Sequence, residues 1–239
     1  MTANALDSYP EGGMAIVLGA SGGIGAAVLD ALAASDRFAT VAGYHRRSNP
    51  PLELTDEASM VAIADQVRSM GRPVRLVFDA TGVLQGEGTA PEKSWRQLDA
   101  DQLARAFAVN AIGPALLMKH FLPLLDRDGK AVFATLSAKV GSIGDNQLGG
   151  WYGYRASKAA LNQFVRTAAV ELARQRPKAV CVALHPGTVD TGLSAPHAKT
   201  GLDVRTPPEA AALLLAVLDA VGPAESGLFL DYRGKPLPW

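Results

Sequence analysis

The sequence predicts an α/β fold with one doubly wound, mostly parallel sheet that helices cover on both faces. Apolar runs of strand length recur along the chain, and most are continuous rather than alternating, which is typical of strands buried on both faces. Segments with helical periodicity separate these runs. The regular alternation of strand and helix favours parallel strands that are joined by right-handed crossovers.

The individual elements follow from these two patterns. The predicted strands are 14–20, 38–43, 74–79, 130–136, 179–184 and 228–231, with a shorter strand at 52–54. The predicted helices are 24–34, 56–70, 100–125, 154–174 and 207–221. The last helix has the clearest start signal, because Thr206 can cap it, Pro207 suits its first turn and Glu209 completes a capping box.

The organisation of the chain is that of one unit, since no internal repeat, low-complexity segment or linker divides it. Residues 14–239 therefore form a single predicted domain, preceded by a flexible, partly frayed lead-in at residues 1–13. The chain has 239 residues, of which 48% are hydrophobic, so it can bury an ample core. Basic and acidic residues balance at 23 each, which favours neither nucleic acid nor an anionic membrane as a partner.

The single cysteine, Cys181, leaves no pair for an intramolecular disulfide and lies in an apolar run. It is predicted to be a small core residue rather than a nucleophile. A reducing, cytoplasmic location is the simplest interpretation. No signal peptide is recognisable, and the apolar stretch 210–221 is too short to span a bilayer. The four histidines lack the clustered spacing of metal ligands, so no metal site is predicted.

A glycine-rich turn follows the first predicted strand and opens a helix, with the spacing Gly-x-x-x-Gly-x-Gly. Glycines permit tight turns and let a pyrophosphate approach the main chain, and a helix N-terminus offers N–H groups and a favourable dipole to phosphates. The alternative is that these glycines serve turn geometry alone. The position after the first strand favours a dinucleotide site. Its expected contacts are Gly19, Ser21, Gly22, Gly23, Ile24 and Gly25.

Two arginines, Arg46 and Arg47, follow the second predicted strand. A site for NAD usually has an acidic residue here, which binds the ribose hydroxyls. Guanidinium groups suit a 2′-phosphate instead, through charge-assisted, forked hydrogen bonds. Two solvated loop arginines are the competing interpretation. Together with the glycine turn upstream, the pair predicts NADP(H) as the cofactor.

Tyr154 and Lys158 are four residues apart in a predicted helix, which places both on one face. A phenol has a pKa of about 10 and needs help to exchange protons near neutral pH. A nearby ammonium stabilises the phenolate and lowers that pKa. The pair is thus a candidate for general acid and base catalysis, although a surface tyrosine and lysine reach the same spacing by coincidence.

From about residue 14 to the end, the chain resembles the classical short-chain dehydrogenases/reductases. The glycine turn resembles the family's cofactor motif, and Tyr154-x-x-x-Lys158 its catalytic motif. Asn110 matches the family's catalytic asparagine, and residues 186–191 match the loop that packs on the nicotinamide. The segments 136–143, 149–152 and 231–236 further resemble the branch of C-factor and the Sniffer-type carbonyl reductases.

The resemblance implies a Rossmann-type fold and a set of roles. Tyr154 is the expected general acid in reduction and base in oxidation, while Lys158 lowers its pKa and holds the nicotinamide ribose. Asn110 is expected to position a water in a proton relay. The family's Asn-Asn-Ala-Gly segment here begins with an aspartate, which accepts but does not donate when ionised. Beyond the glycine turn and the arginines, the expected cofactor contacts are Glu53, Asp79, Ala80, Thr81, Gly82, Asn110, Tyr154, Lys158, Pro186, Gly187, Val189 and Thr191.

The catalytic serine of the family has no direct counterpart. Relatives carry two serines after the corresponding strand and use the second, but here the pair is Ser137-Ala138. Ser137 reaches the site if the strand end shifts by one residue, for instance through a bulge. Ser142 can substitute from the loop, or Tyr154 can act without a serine. Ser137 is the favoured candidate, and its alternative role is a hydroxyl that bonds neighbouring backbone.

Two functions of different classes follow. The first is an NADP(H)-dependent carbonyl reductase that transfers hydride between the nicotinamide and a carbonyl or alcohol. The second is a cofactor-binding regulatory or signalling protein with little turnover, which the altered serine segment keeps open. The resemblance also implies a homodimer or homotetramer. Residues 191–206 predict only a partly apolar substrate pocket.

Overall fold

A computed structural model describes residues 6–84, 90–192 and 204–239. Its centre is a six-stranded sheet formed by β1 (Met14–Leu18), β2 (Thr40–Tyr44), β3 (Val74–Asp79), β4 (Ala131–Leu136), β5 (Ala179–His185) and β8 (Phe229–Asp231). The strands lie in the order β2-β1-β3-β4-β5-β8, and every neighbouring pair is parallel. A separate parallel pair is formed by β6 (Thr188–Val189) and β7 (Val204–Arg205). The predicted doubly wound α/β fold is confirmed.

Helices cover the two faces of the sheet. They are α1 (Gly23–Ala33), α2 (Glu57–Ser69), α3 (Ala100–Phe107), α4 (Gly113–Phe121), α5 (Tyr152–Gln175) and α6 (Pro207–Ala220). The apolar residues of β1 alternate between two cores: Ile16 faces the core shared with α2, α4 and α5, and Val17 faces the core shared with α1 and α6. The predicted capping box of α6 is present, since Thr206 and Glu209 bond reciprocally.

Two sequence predictions differ from the structure in more than their end residues. The predicted strand 52–54 is a loop, in which Leu52 is buried as part of the core without pairing in the sheet. The predicted helix 100–125 is interrupted by a π-helical turn, Ala108–Ile112, between α3 and α4, and it ends in a 3₁₀ turn, Leu122–Leu124. Such insertions often occur at functional sites, and this one contains Asn110.

The helical run 100–124 is long and apolar enough to cross a membrane by length and composition alone. Its inner side is part of the protein core, where Leu117 and Phe121 pack with residues of α2 and α5. A core helix passes the same test of length and composition.

The described part of the lead-in is packed rather than frayed. Leu6 and Tyr9 are buried in the core on the side of α6. The Tyr9 hydroxyl donates to the main-chain oxygen of Leu218 at 3.2 Å, and Ser8 donates twice to the carboxylate of Asp219. The expectation of a flexible segment fails for residues 6–13, because two apolar side chains in a polar stretch find partners that are distant in the sequence.

Cys181 is completely buried in β5, and burial raises the pKa of its thiol to about 12. A thiol with this pKa stays protonated near neutral pH, where it is a poor nucleophile. The predicted role as a small core residue is confirmed.

The topology places one crevice at the carboxyl edge of the sheet. β1 lies between β2 and β3, so the chain places β2 on one side of β1 and then crosses back to add β3, β4 and β5 on the other side. In open α/β sheets, ligands bind at this reversal, beyond the carboxyl ends of the strands. The segments that leave β1, β2, β3, β4 and β5 therefore border a common site.

Candidate active site

The glycine turn after β1 forms an open cradle at the start of α1. Gly19 has a φ of +83°, and a Cβ on Gly25 would lie 2.3 Å from the carbonyl oxygen of Gly19, so both positions require glycine. Ser21, Gly22 and Gly23 are exposed, and Ile24 is partly buried. No side chain of the described residues caps α1, whose first N–H groups are thus available to an anion. This arrangement fits a pyrophosphate.

The end of β2 lies against this cradle. The main-chain oxygen of Tyr44 accepts from the N–H groups of Gly19 and Ala20, at 2.8 and 3.1 Å. Arg46 and Arg47 follow on an exposed turn, and within the described ranges neither guanidinium forms an ion pair. Two exposed cations that follow a strand next to the glycine turn, without a carboxylate partner among the described residues, fit a second phosphate group.

The segment that follows β3 connects the cradle with α5. Ala80 donates to the carbonyl oxygen of Leu18 at 2.8 Å. Gly82 has a φ of +149°, and a Cβ there would lie 3.2 Å from Oδ1 of Asn110 and 3.4 Å from Nζ of Lys158. Glycine is thus required by both its backbone conformation and its close neighbours.

Asp79, the last residue of β3, is fully buried. Its carboxylate accepts hydrogen bonds from the hydroxyls of Thr81 and Thr135, at 2.6 and 2.7 Å. Burial raises the pKa of this carboxyl, against the effect of those hydrogen bonds and of the charge on Lys158. In the described structure, Asp79 therefore organises the ends of β3 and β4. The sequence did not predict a role for Thr135, although a hydroxyl-bearing side chain inside an otherwise apolar strand could have indicated one.

Tyr154 and Lys158 lie one turn apart on α5, as their spacing predicts. Lys158 is buried, and its Nζ donates to the carbonyl oxygen of Leu136 at 2.8 Å and lies 6.0 Å from the centre of the Tyr154 ring. Burial lowers the pKa of Lys158 to about 8, while the nearby carboxylate of Asp79 acts in the opposite direction. Burial also raises the pKa of Tyr154 to about 12.

Asn110 is fully buried in the π-helical turn, and both the oxygen and the nitrogen of its side-chain amide form hydrogen bonds. Its Oδ1 accepts from the N–H of Val83, and its Nδ2 donates to the carbonyl oxygen of Val83, both at 2.8 Å. Nδ2 also donates to the Ser157 hydroxyl, which donates to the carbonyl oxygen of Tyr154 at 2.9 Å. Asn110 thus links the loop after β3 to α5, and its water contact stays a prediction.

The hydroxyl of Ser137 forms its hydrogen bond with Asn162 and not with Tyr154. Its hydroxyl donates to Oδ1 of Asn162 at 2.7 Å, and the pair is buried. Asn162 lies two helical turns beyond Tyr154, about 12 Å along the helix axis. Ser142 is also buried, where its hydroxyl donates to the carbonyl oxygen of Trp239 and accepts from the N–H of Asp145. These contacts favour the third alternative, in which Tyr154 acts without a serine.

We expect Ser137→Ala and Ser142→Ala each to change kcat by far less than the ~10²–10⁴-fold typical of a general acid or base. Ser137→Ala should instead lower stability, because it leaves the buried Oδ1 of Asn162 without its donor. Steady-state kinetics and thermal unfolding of the two variants separate these effects. A large loss of kcat on Ser137→Ala alone would return the catalytic role to Ser137.

The remaining predicted contacts lie in three places: at the glycine cradle, in and just before β6, and in the exposed loop after β2. Thr191 lies against the glycine cradle, since a Cβ on Gly23 would meet its Cγ2 at 2.8 Å. Gly187 has a φ of +79° and packs against Arg205 and Tyr232, while Pro186 precedes β6 and Val189 is buried within it. Glu53 is exposed, and its carboxylate accepts from Thr55, at 3.1 Å from the hydroxyl.

Comparisons with known proteins relate the chain as a whole to one family. The model of the short chain dehydrogenase family matches residues 13–201. C-signal of Myxococcus xanthus is 38% identical over 143 residues, which cover 59% of this chain and 81% of that protein. The 1-hydroxy-2-glutathionyl-2-methyl-3-butene dehydrogenase of Rhodococcus sp. (strain AD45) is 32% identical over 190 residues, 80% of this chain and 79% of that protein.

Two solved structures superpose on almost the whole chain. The NADPH-bound carbonyl reductase from chicken fatty liver superposes with a TM-score of 0.84 at 27% identity, covering 97% of this chain and 96% of that one. A short-chain dehydrogenase/reductase from Burkholderia multivorans with bound NADP superposes with a TM-score of 0.78 at 27% identity, covering 97% and 100%. The predicted family resemblance is confirmed, and these relatives agree with the predicted branch.

Proposed function

Since the chain belongs to the short-chain dehydrogenase family of oxidoreductases, we propose that it is an NADP(H)-dependent carbonyl reductase. It would transfer hydride between the nicotinamide and a carbonyl or alcohol substrate. The observation that carries the proposal is the convergence of Tyr154 and buried Lys158 with the open glycine cradle at one sheet edge. The relatives of known structure with bound NADPH or NADP support the choice of cofactor.

The described residues suit the different parts of such a dinucleotide. The N–H groups at the start of α1 would hold the pyrophosphate, and Arg46 and Arg47 the 2′-phosphate at the adenosine end. Lys158 would bind the nicotinamide ribose. When bound, the cofactor supplies or accepts the hydride, and the protein supplies position and electrostatics.

Tyr154 carries the proton of the proposed reaction. In reduction its hydroxyl donates a proton to the substrate oxygen, and in oxidation its phenolate accepts the proton of the alcohol. Burial alone raises the pKa of this phenol to about 12 and so favours the protonated form. In the proposed reaction the ammonium of Lys158, 6.0 Å from the centre of the ring, would oppose that effect, because a nearby positive charge stabilises a phenolate.

The change of both Arg46 and Arg47 to alanine is expected to weaken NADPH binding selectively. Hydrogen bonds to charged groups contribute about 1.5–3 kcal/mol each, so each lost contact should weaken binding about 10- to 100-fold. NADH lacks the 2′-phosphate, so its affinity should hardly change. Titration of both cofactors into the double variant and into Arg68→Ala, an exposed arginine of α2, measures the difference. Equal binding of NADPH and NADH by the wild type would refute the assignment.

A panel of aldehydes, ketones and quinones with NADPH tests the proposed activity as a whole. Cofactor consumption supports the reductase. Cofactor binding without turnover supports the second candidate, a regulatory or signalling protein. The observation in its favour is Ala138, which stands where the family's catalytic serine is expected, together with the partner that Ser137 already has in Asn162. The cytoplasmic location and the homodimer or homotetramer stay predictions.

A further inference from the structure

The start of the catalytic helix α5 has an unusual backbone. Three successive residues, Gly149, Gly150 and Trp151, have positive φ values of 63°, 67° and 53°. Trp151 is the N-cap of α5 and has no side-chain cap hydrogen bond. The left-handed region is unfavourable for a residue with a Cβ, and such a conformation persists only where the surrounding structure fixes it. Tyr154 lies only three residues beyond Trp151, so whatever fixes this turn also fixes the tyrosine.

Glu92 makes the contacts that fix this turn from a distant segment. Its main-chain oxygen accepts from the N–H of Trp151 at 2.5 Å. Both oxygens of its carboxylate accept from the N–H of Gly153, each at 3.3 Å. Glu92 is only 7% exposed. Gly153 makes this approach possible, since a Cβ on it would lie 3.0 Å from Oε1 of Glu92.

We infer that Glu92 is a positioning residue for Tyr154. Its carboxylate accepts from a first-turn N–H group that α5 cannot satisfy with its own N-cap, and its negative charge suits a helix N-terminus. Over residues 6–84, 90–192 and 204–239, no basic side chain forms a salt bridge with it. The contacts of the buried carboxylate are thus with the main chain beside Tyr154. The inference rests on the proposed role of Tyr154 as proton donor.

Other helices of the protein use a cap from their own sequence. Asp56 caps α2, Asp99 caps α3 and Thr206 caps α6, each directly before the helix that it caps. Glu92 precedes Gly153 by 61 residues. A cap from so far away ties the helix to a second segment of the protein, and this fixes the position of the helix end as well as satisfying its N–H group.

Glu92→Ala, Glu92→Gln and Asp99→Ala test the inference. Asp99→Ala is the matched control, because it removes a carboxylate cap from α3, which packs on α5. We expect Glu92→Ala to lower kcat about 10- to 100-fold, as for a misplacement of roughly 1 Å, with little change in the Kd for NADPH. Glu92→Gln keeps an oxygen that accepts from Gly153 and should recover most of kcat. Asp99→Ala should keep kcat near that of the wild type.

Amide hydrogen exchange of residues 152–158 gives a readout that does not depend on turnover. Exchange there should accelerate in Glu92→Ala and not in Asp99→Ala. If no substrate of the panel is turned over by the wild type, the proposed function fails and exchange alone decides the anchoring role. Unchanged kcat and exchange in Glu92→Ala would overturn the inference, and so would equal losses in Glu92→Ala and Asp99→Ala. Should Glu92→Ala not fold, Glu92→Asp withdraws the carboxylate by one methylene, and wild-type kcat and exchange in it would likewise overturn the inference.

Discussion

Tyr154→Phe is expected to remove most of the carbonyl reductase activity while leaving cofactor binding close to that of the wild type. The change deletes the hydroxyl that holds the proton and keeps the ring, which packs edge-on against Trp151 at 6.2 Å between ring centres. General acid catalysis is typically worth about 10²–10⁴-fold in rate, and kcat should fall by that amount. Steady-state oxidation of NADPH and a fluorescence titration of the cofactor measure the two quantities.

Tyr152→Phe is the matched control for this prediction. Tyr152 lies in the same first turn of α5 and carries the same hydroxyl, but nothing in its sequence position or contacts assigns it a proton transfer. Its variant should keep kcat near the wild-type value. If Tyr154→Phe also kept it, Tyr154 would not be the proton donor.

Lys158→Ala and Lys158→Met are expected to impair both cofactor binding and rate. The ammonium is proposed to bind the nicotinamide ribose and to stabilise the phenolate of Tyr154. A hydrogen bond from a charged group contributes about 1.5–3 kcal/mol, so NADPH binding should weaken about 10- to 100-fold, with a further loss in kcat. Lys158→Met keeps most of the side-chain volume, so an equal loss in both variants assigns the effect to the charge rather than to a cavity. Retained NADPH affinity in the methionine variant would argue against the ribose contact.

The pH dependence of cofactor binding gives a second measurement on Lys158. Burial lowers the pKa of its ammonium to about 8. A base with a lowered pKa carries its positive charge only below that pKa, so the ammonium is present near neutral pH and is lost as the pH rises. The affinity of the wild type for NADPH should therefore fall as the pH rises through about 8, and the affinity of Lys158→Met should not follow this profile.

The sequence by itself determined the fold class and the parts of the site that depend on local spacing. β3 begins and ends as predicted, and the capping box of Thr206 and Glu209 is present as predicted. The glycine turn follows β1, and Tyr154 and Lys158 lie one turn apart on α5. These features follow from residue spacing within a few turns of helix or strand, which periodicity and capping rules describe directly.

Only the tertiary structure decided the partners of the polar side chains around Tyr154. Ser137 donates to Asn162, Asn110 donates to Ser157, and Glu92 accepts from Gly153, across 25, 47 and 61 residues. The π-helical turn at Asn110 was likewise seen only in the tertiary structure. Such pairs form because buried polar groups must find hydrogen-bond partners wherever the fold brings them. Their separation in the sequence carries no periodic signal, so the spacing of residues does not predict them.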